Sequence, residues 1–77
     1  MEDKIKNIMS AVFGVPADSI NNESSPTTIE SWDSLKHMDL IIALEKEFDI
    51  TIPDDEVVNM LSFGVILHIV NEAISKR

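Results

Sequence analysis

Apolar residues recur at three- and four-residue steps in three separate segments of this 77-residue chain. Such spacing lines up side chains along one face of an amphipathic α-helix. The three predicted faces are Ile5, Ile8, Met9, Val12 and Phe13; then Leu40, Ile41, Leu44 and Phe48; then Val65, Ile66, Ile69, Val70, Ala73 and Ile74. Residues 50–52 alternate as a strand would, but this segment is too short to pair with anything else in the chain. The pattern therefore predicts a helical protein.

Turn-forming residues set the limits of the first two helices. Gly14 stands where a C-terminal glycine cap falls, and Pro16 prevents easy continuation of the helix. Residues 21–28 are polar and rich in turn formers, so they predict a long surface loop. The second helix is predicted over about Ser34 to Phe48. The candidates for its N-cap are Ser31, Asp33 and Ser34.

Two further helices are predicted after Asp49. Pro53 followed by the acids 54–56 is a favourable helix start, because proline suits the first turn and acids suit the positive end of the helix dipole. This third helix is short and is predicted to end near Asn59. Ser62 can cap the fourth. The predicted fold class is all-α: residues 1–77 form one domain, a small four-helix bundle with three longer helices, a short third helix and a long loop between the first two.

Charge narrows the choice of partners. Fourteen acidic residues against six basic ones give a formal net charge of −8, which argues against nucleic acid because phosphate binding needs basic side chains. Between residues 18 and 56, eleven acids face only Lys36 and Lys46. A local negative field attracts positively charged partners. The other interpretation is that the acidic residues serve only to keep the protein soluble.

Several functional classes lack their signatures in this sequence. There is no cysteine, no long apolar run and no segment resembling a signal peptide, so we expect a cytoplasmic protein without a membrane span or a disulfide. The only histidines are His37 and His68, and the only glycines are Gly14 and Gly64. Neither a metal-ligand cluster nor a phosphate-cradling loop can be built from them, so we expect no metal and no catalytic activity.

The second predicted helix carries a second apolar stripe. Leu35, Met38 and Ile42 lie roughly opposite the face predicted to be buried, at about 100° per residue. Charged residues border this stripe: Asp39, Glu45 and Lys46. One interpretation is a docking surface for another protein. In the other, the long loop folds over the stripe and buries it, Met38 in particular.

The segment Asp33-Ser34-Leu35 at the start of a predicted helix, followed by residues 38–48, closely resembles the acyl carrier protein family. The downstream Ile52-Pro53-Asp54-Asp55-Glu56 is similar to that family's entry to its third helix. The resemblance covers essentially the whole chain. Asp-Ser-Leu alone is a weak signal, but its combination with Ala-Leu-Glu-Lys-Glu-Phe and Ile-Pro-Asp-Asp-Glu at these distances is a specific one.

The resemblance implies a function and a set of site residues. Ser34 matches the serine to which a phosphopantetheinyl transferase attaches 4′-phosphopantetheine from coenzyme A; the thiol of this arm then carries acyl groups as thioesters. Asp33 matches the residue that contacts the transferase. The residues that match the family's partner-recognition surface are Leu35, Met38, Asp39, Ile42 and Glu45, with Asp54, Asp55 and Glu56 extending the acidic area. The implied partners are acyl ligases, acyltransferases or synthases with basic docking patches, in fatty-acid, lipid or specialised biosynthesis, and the implied carrier is monomeric. Without the resemblance, Ser34 would be read as a helix cap.

Three residues depart from the fatty-acid type of the family. Trp32 stands where that type has a small residue; it is expected to pack in the core or under the loop, the other reading being contact with the arm. Lys36 replaces an acid, and His37 adds an ionisable group. Changed charges on a docking face reject wrong partners, so we infer a specialised carrier. An aminoacyl or peptidyl carrier and an unmodified helical interaction domain are the alternatives.

Overall fold

The computed structural model describes residues 2–76, which contain four α-helices. They are α1 (Glu2–Phe13), α2 (Ser34–Phe48), α3 (Asp54–Val57) and α4 (Phe63–Lys76). A short 3₁₀ helix, Ala17–Ser19, lies in the loop between α1 and α2. None of residues 2–76 belongs to a β-strand. The predicted all-α architecture of three longer helices, one short helix and a long first loop is confirmed.

Each of the first two helices ends at a residue with a left-handed backbone conformation. Gly14 has φ 69°, and its N–H donates to the Ser10 carbonyl at 2.9 Å, which closes α1 as predicted. At the end of α2, Asp49 has φ 54° although it is not a glycine. The N–H of the next residue, Ile50, donates to the Glu45 carbonyl at 3.2 Å. Aspartate is among the residues that tolerate this conformation, so α2 ends without a glycine.

Helix α3 is shorter than the sequence predicts. It ends at Val57, two residues before the predicted end at Asn59. From Glu56 onward, the backbone hydrogen bonds span three residues instead of four. The Asn59 N–H donates to the Glu56 carbonyl at 3.0 Å, and the Met60 N–H donates to the Val57 carbonyl at 3.2 Å. Such tightening is common at helix C-termini. The α-helical part of α3 is therefore a single turn.

The core draws on the long loop as well as on the helices. Ile20, Ile29 and Trp32 are buried although they precede α2. The other buried apolar residues are Ile5, Met9, Phe13, Leu40, Ile41, Leu44, Ile50, Ile52, Val57, Met60, Phe63, Ile66, Ile69 and Val70. Since a chain this short encloses little volume, the loop adds apolar surface that the helices alone lack.

The same loop is tied to the start of α4. The Phe63 N–H donates to the Ser24 carbonyl at 3.0 Å, and the Gly64 N–H donates to the Asn22 carbonyl at 3.3 Å. Ser24 is buried, and its Oγ accepts from the Asn21 N–H at 2.9 Å. These loop carbonyls satisfy two of the N–H groups that a helix start leaves without partners. The polar loop thereby holds a defined path across the bundle.

One residue of the predicted α4 face lies outside the core. Ser62 caps the helix as predicted, its Oγ accepting from the Val65 N–H at 3.3 Å. Val65 belongs to the predicted apolar face but is itself 39% exposed. Val65 lies about 100° around the helix from Ile66, at the edge of an arc that Phe63, Ile66 and Val70 fill.

Candidate functional site

Ser34 is the first residue of α2, and Asp33 is its N-cap. Asp33 has extended backbone angles, and its Oδ1 accepts from the Lys36 N–H at 2.9 Å. Its carbonyl accepts the next helical bond, from the His37 N–H at 2.8 Å. Of the three candidate caps, the structure therefore selects Asp33. The Ser34 side chain is exposed and makes no hydrogen bond among residues 2–76.

The backbone around Ser34 suits an anion. The first N–H groups of a helix have no acceptor within it. The Asp33 carboxylate accepts from the Lys36 N–H. Within the part of the chain that the structure describes, the N–H groups of Ser34 and Leu35 remain without an acceptor, at the positive end of the α2 dipole. A phosphate esterified to the Ser34 hydroxyl would lie next to these donors. The residues present therefore fit a phosphodiester at this position.

Removing the Asp33 cap is expected to lower stability moderately. Asp33→Ala should cost about 1 kcal/mol, because the Lys36 N–H loses its acceptor. Asp33→Asn should keep stability close to that of the wild type, since asparagine caps as well as aspartate. Urea unfolding of the three proteins measures the difference. If the alanine variant matched the wild type, the Asp33 carboxylate would contribute nothing as a cap.

An apolar groove of about 430 Å³ adjoins Ser34. Helix α2 and the segment around α3 form its two sides. Its lining residues are Pro26, Trp32, Asp33, Ser34, His37, Met38, Val57, Val58 and Leu61. A second groove, of about 360 Å³, lies at the other end of α2 beside Asp49 and Glu72, away from Ser34. A group attached to Ser34 can therefore reach the groove beside it directly.

Trp32 and His37 form the floor of this groove. The Trp32 ring stacks on Phe13, with ring centroids 4.7 Å apart, and is buried, as the packing interpretation predicts. Its Nε1–H donates to Nδ1 of His37 at 3.0 Å. Because an indole N–H can only donate, this Nδ1 is the acceptor and the neutral ring carries its proton on Nε2. The Nε2–H then donates to the Val57 carbonyl at 2.8 Å.

The second apolar stripe of α2 is uncovered. Leu35 is 79% exposed, Met38 50% and Ile42 49%, so the long loop does not bury them as the alternative interpretation expects. Two exposed residues that the sequence analysis did not single out, Val58 and Leu61, continue this apolar surface across the groove. Their signal in the sequence is weak, since they follow a four-residue helix with no periodic face of its own.

The acidic residues of the predicted recognition surface fall into two groups. Asp39 is exposed on α2, whereas Asp54 and Asp55 are exposed in the first turn of α3, and Glu56 beside them is half-buried. Glu45 is also half-buried. Its Oε2 accepts from the Ile52 N–H at 2.9 Å, so this carboxylate joins α2 to the segment before α3. A recognition role for Glu45 stays a prediction, alongside this structural one.

Within residues 2–76, no three acidic or histidine side chains cluster as a metal site would require. Nor is any helix in this range both long enough and apolar enough to cross a bilayer.

Comparisons with known proteins agree with this geometry. Residues 3–70 match the family described as "Phosphopantetheine attachment site". The chain is 41% identical to an acyl carrier protein of Picosynechococcus over 91% of this chain and 86% of the relative. It is 39% identical to an acyl carrier protein of Clostridium acetobutylicum, over 86% of each. The solution structure of a holo acyl carrier protein from Geobacter metallireducens superposes with a TM-score of 0.87 at 28% identity, covering 97% of this chain and 86% of that one.

The fold and the matched family define a phosphopantetheine-bearing carrier. The chain belongs to the acyl carrier protein family, whose members hold acyl intermediates on covalently attached 4′-phosphopantetheine. The resemblance noted in the sequence is thereby confirmed, together with the cofactor and the carrier function that it implies.

Proposed function

We propose that Ser34 is the residue that bears 4′-phosphopantetheine in this chain. The observation that carries the proposal is the exposed, unbonded Ser34 side chain beside the free N–H groups at the start of α2. When bound, the group supplies a terminal thiol on a flexible arm, and that thiol holds acyl cargo as a thioester. Ser34 lies within the matched residues 3–70.

Ser34 acts as an acceptor and not as a catalyst. A serine nucleophile needs a neighbouring base. Both ring nitrogens of His37 are engaged with Trp32 and Val57, and His68 lies on α4, 3.3 Å from Glu72. The chain is therefore proposed as a non-catalytic substrate of a phosphopantetheinyl transferase, which supplies the base. Asp33 is proposed as its contact beside Ser34.

We propose that Leu35, Met38, Asp39, Ile42 and Glu45, together with the α3 acids, form the surface that partner enzymes recognise. Its apolar members are exposed, and acids flank them on both α2 and α3. A complementary partner presents an apolar spot surrounded by basic residues. Acyl ligases, acyltransferases and synthases with basic docking patches are the proposed partners, and nucleic acid is not.

The positive charge of Lys36 favours a dedicated set of partner enzymes. Lys36 is exposed and directly follows Leu35 on α2, where a positive charge repels part of a basic docking patch. We therefore propose a carrier for a specialised pathway. We also propose that it works as a monomer, since copies with a net charge of −8 repel one another. The cytoplasm is its proposed location.

An apolar cargo fits the groove better than a charged one. Its lining is mostly apolar, so an uncharged acyl chain gains from burial, whereas the ammonium of an aminoacyl group would be desolvated. Acyl cargo is therefore proposed over aminoacyl cargo. Parallel loading of the holo protein with fatty-acyl and aminoacyl ligases separates the two.

Intact-protein mass spectrometry tests the proposed function. After incubation with coenzyme A and a broad-specificity phosphopantetheinyl transferase, the wild-type chain is expected to gain the mass of one phosphopantetheine. Omission of the transferase is the control. A folded chain that gains no mass would instead be an unmodified helical interaction domain.

A further inference from the structure

Two consecutive hydrogen bonds through His37 on α2 connect the loop residue Trp32 to the end of α3. Trp32 donates to Nδ1 of His37, and Nε2 of His37 donates to the Val57 carbonyl, at 3.0 and 2.8 Å. His37 lies one turn after Ser34 on α2, and both residues line the groove. The imidazole thus bridges the two sides of the groove beside the proposed attachment point.

Helix α3 has little buried surface of its own. It is a single turn, and a helix this short has no stability of its own. Val57 is its one buried residue, while Asp54, Asp55 and the adjacent Val58 are exposed. Elements with so little buried surface open at low cost. The Glu45 carboxylate holds the segment before α3 and buried Met60 holds the segment after it, so the bond from His37 is a direct side-chain link from α2 to the last residue of α3.

Behind this bond lies the apolar core. Trp32, Val57, Met60 and Phe63 all belong to one continuous cluster of buried residues. If the end of α3 moves away from α2, the groove deepens towards this cluster. An apolar chain gains about 0.8 kcal/mol for each methylene group that it buries, so long chains benefit from such opening and short ones do not.

We propose that His37 is a positioning residue that latches α3 to α2 and thereby limits how deeply acyl cargo enters beside Ser34. The inference rests on the proposed function, in which Ser34 bears the cargo. With the latch closed, cargo is confined to the groove. When the latch opens, long acyl chains pass between α2 and α3 and are shielded from solvent.

Two substitutions separate the two hydrogen bonds of the ring. In His37→Asn the amide oxygen takes the place of Nδ1 and still accepts from Trp32, but the side chain is too short to reach Val57. In His37→Gln the amide nitrogen reaches as far as Nε2 and still donates to Val57, while the acceptor for Trp32 is lost. If His37 is a latch, α3 moves away from α2 more readily in the asparagine variant and stays closed in the glutamine variant. If His37 only satisfied the buried indole N–H, glutamine would be the more disruptive change.

The first measurement uses the unmodified protein. We expect hydrogen exchange of the Glu56 and Val57 amides, which donate to the Pro53 carbonyl, to be about fivefold faster in His37→Asn than in the wild type or His37→Gln. Amides of α1 and α4 in the same sample are the internal control. Equal exchange at Glu56 and Val57 in all three proteins overturns the latch.

The second measurement uses holo protein loaded with acyl chains of increasing length. Cleavage of the thioester by hydroxylamine is expected to slow by about fivefold or more in His37→Asn for long chains, and to be unchanged for acetyl. His37→Gln should follow the wild type. If the proteins acquire no phosphopantetheine, the proposed function fails. If they load but share one chain-length dependence, the latch fails and the proposed function stands.

Discussion

Ser34→Ala is expected to abolish incorporation of phosphopantetheine while the fold and its stability remain nearly unchanged. The hydroxyl oxygen is the only atom of this side chain that can accept the phosphate, so its removal leaves no residual reaction. The Ser34 side chain is exposed and unbonded, and Asp33, not Ser34, caps α2. Surface changes of this kind alter stability by about 0.5 kcal/mol at most. Intact mass and urea unfolding measure the two outcomes.

Ser31→Ala is the matched control for this substitution. Ser31 lies three residues earlier, and its Oγ donates to the Phe13 carbonyl at 2.6 Å, so it has a structural partner that Ser34 lacks. Its alanine variant is expected to lose about 1 kcal/mol of stability and to incorporate phosphopantetheine fully. A folded Ser34→Ala protein that still gained the mass would show that another residue is modified.

Leu40→Ala is expected to destabilise the protein by roughly 2–5 kcal/mol, a large share of the stability of a small domain. Leu40 is 0% exposed in the core, so truncation removes buried apolar surface and leaves a cavity. The same substitution at Leu35, on the same helix and 79% exposed, is expected to change stability by about 0.5 kcal/mol at most. Urea denaturation of both variants provides the comparison.

Binding should show the opposite order for the two leucines. If the second apolar stripe of α2 is a docking surface, Leu35→Ala should lower kcat/KM with a partner acyl ligase, because an exposed apolar contact with the partner is lost. The stability of this variant should stay close to that of the wild type. Kinetics with holo protein as the varied substrate measure this effect. An unchanged kcat/KM for Leu35→Ala, Met38→Ala and Ile42→Ala would contradict the docking surface.

Helix positions were predictable where local signals agree. Both ends of α2 match the prediction at Ser34 and Phe48, because an aspartate cap precedes the helix and the apolar period stops at its end. The end of α3 at Val57 was not predictable, since no periodic pattern or glycine marks it. The exposure of Val65 was not predictable either, because periodicity defines an apolar arc but not which part of that arc a neighbour covers. Which neighbour faces that arc is decided by packing.

The candidate site divides in the same way. Its apolar stripe could be predicted from residues 35–42, because an i, i+3 pattern is a local feature, whereas Ser34 was predicted as the attachment residue only through the resemblance to the acyl carrier protein family. Val58 and Leu61 could not be predicted, since they join the site from a segment some twenty residues further along. Glu45 was predicted only as a recognition residue, and its bond to the Ile52 N–H depends on how the chain returns after α2.

The amino-acid sequence alone determined the helical class and the start of α2, because both depend on neighbours within one or two helical turns. It also pointed to Ser34 as the proposed attachment residue, through the resemblance of the whole chain to the acyl carrier protein family. Only the tertiary structure decided what surrounds that serine. Trp32 is drawn into the core against Phe13, and His37 is placed between Trp32 and the Val57 carbonyl. These contacts join segments that lie up to twenty positions apart, and their geometry follows from how the bundle packs, which no local pattern specifies.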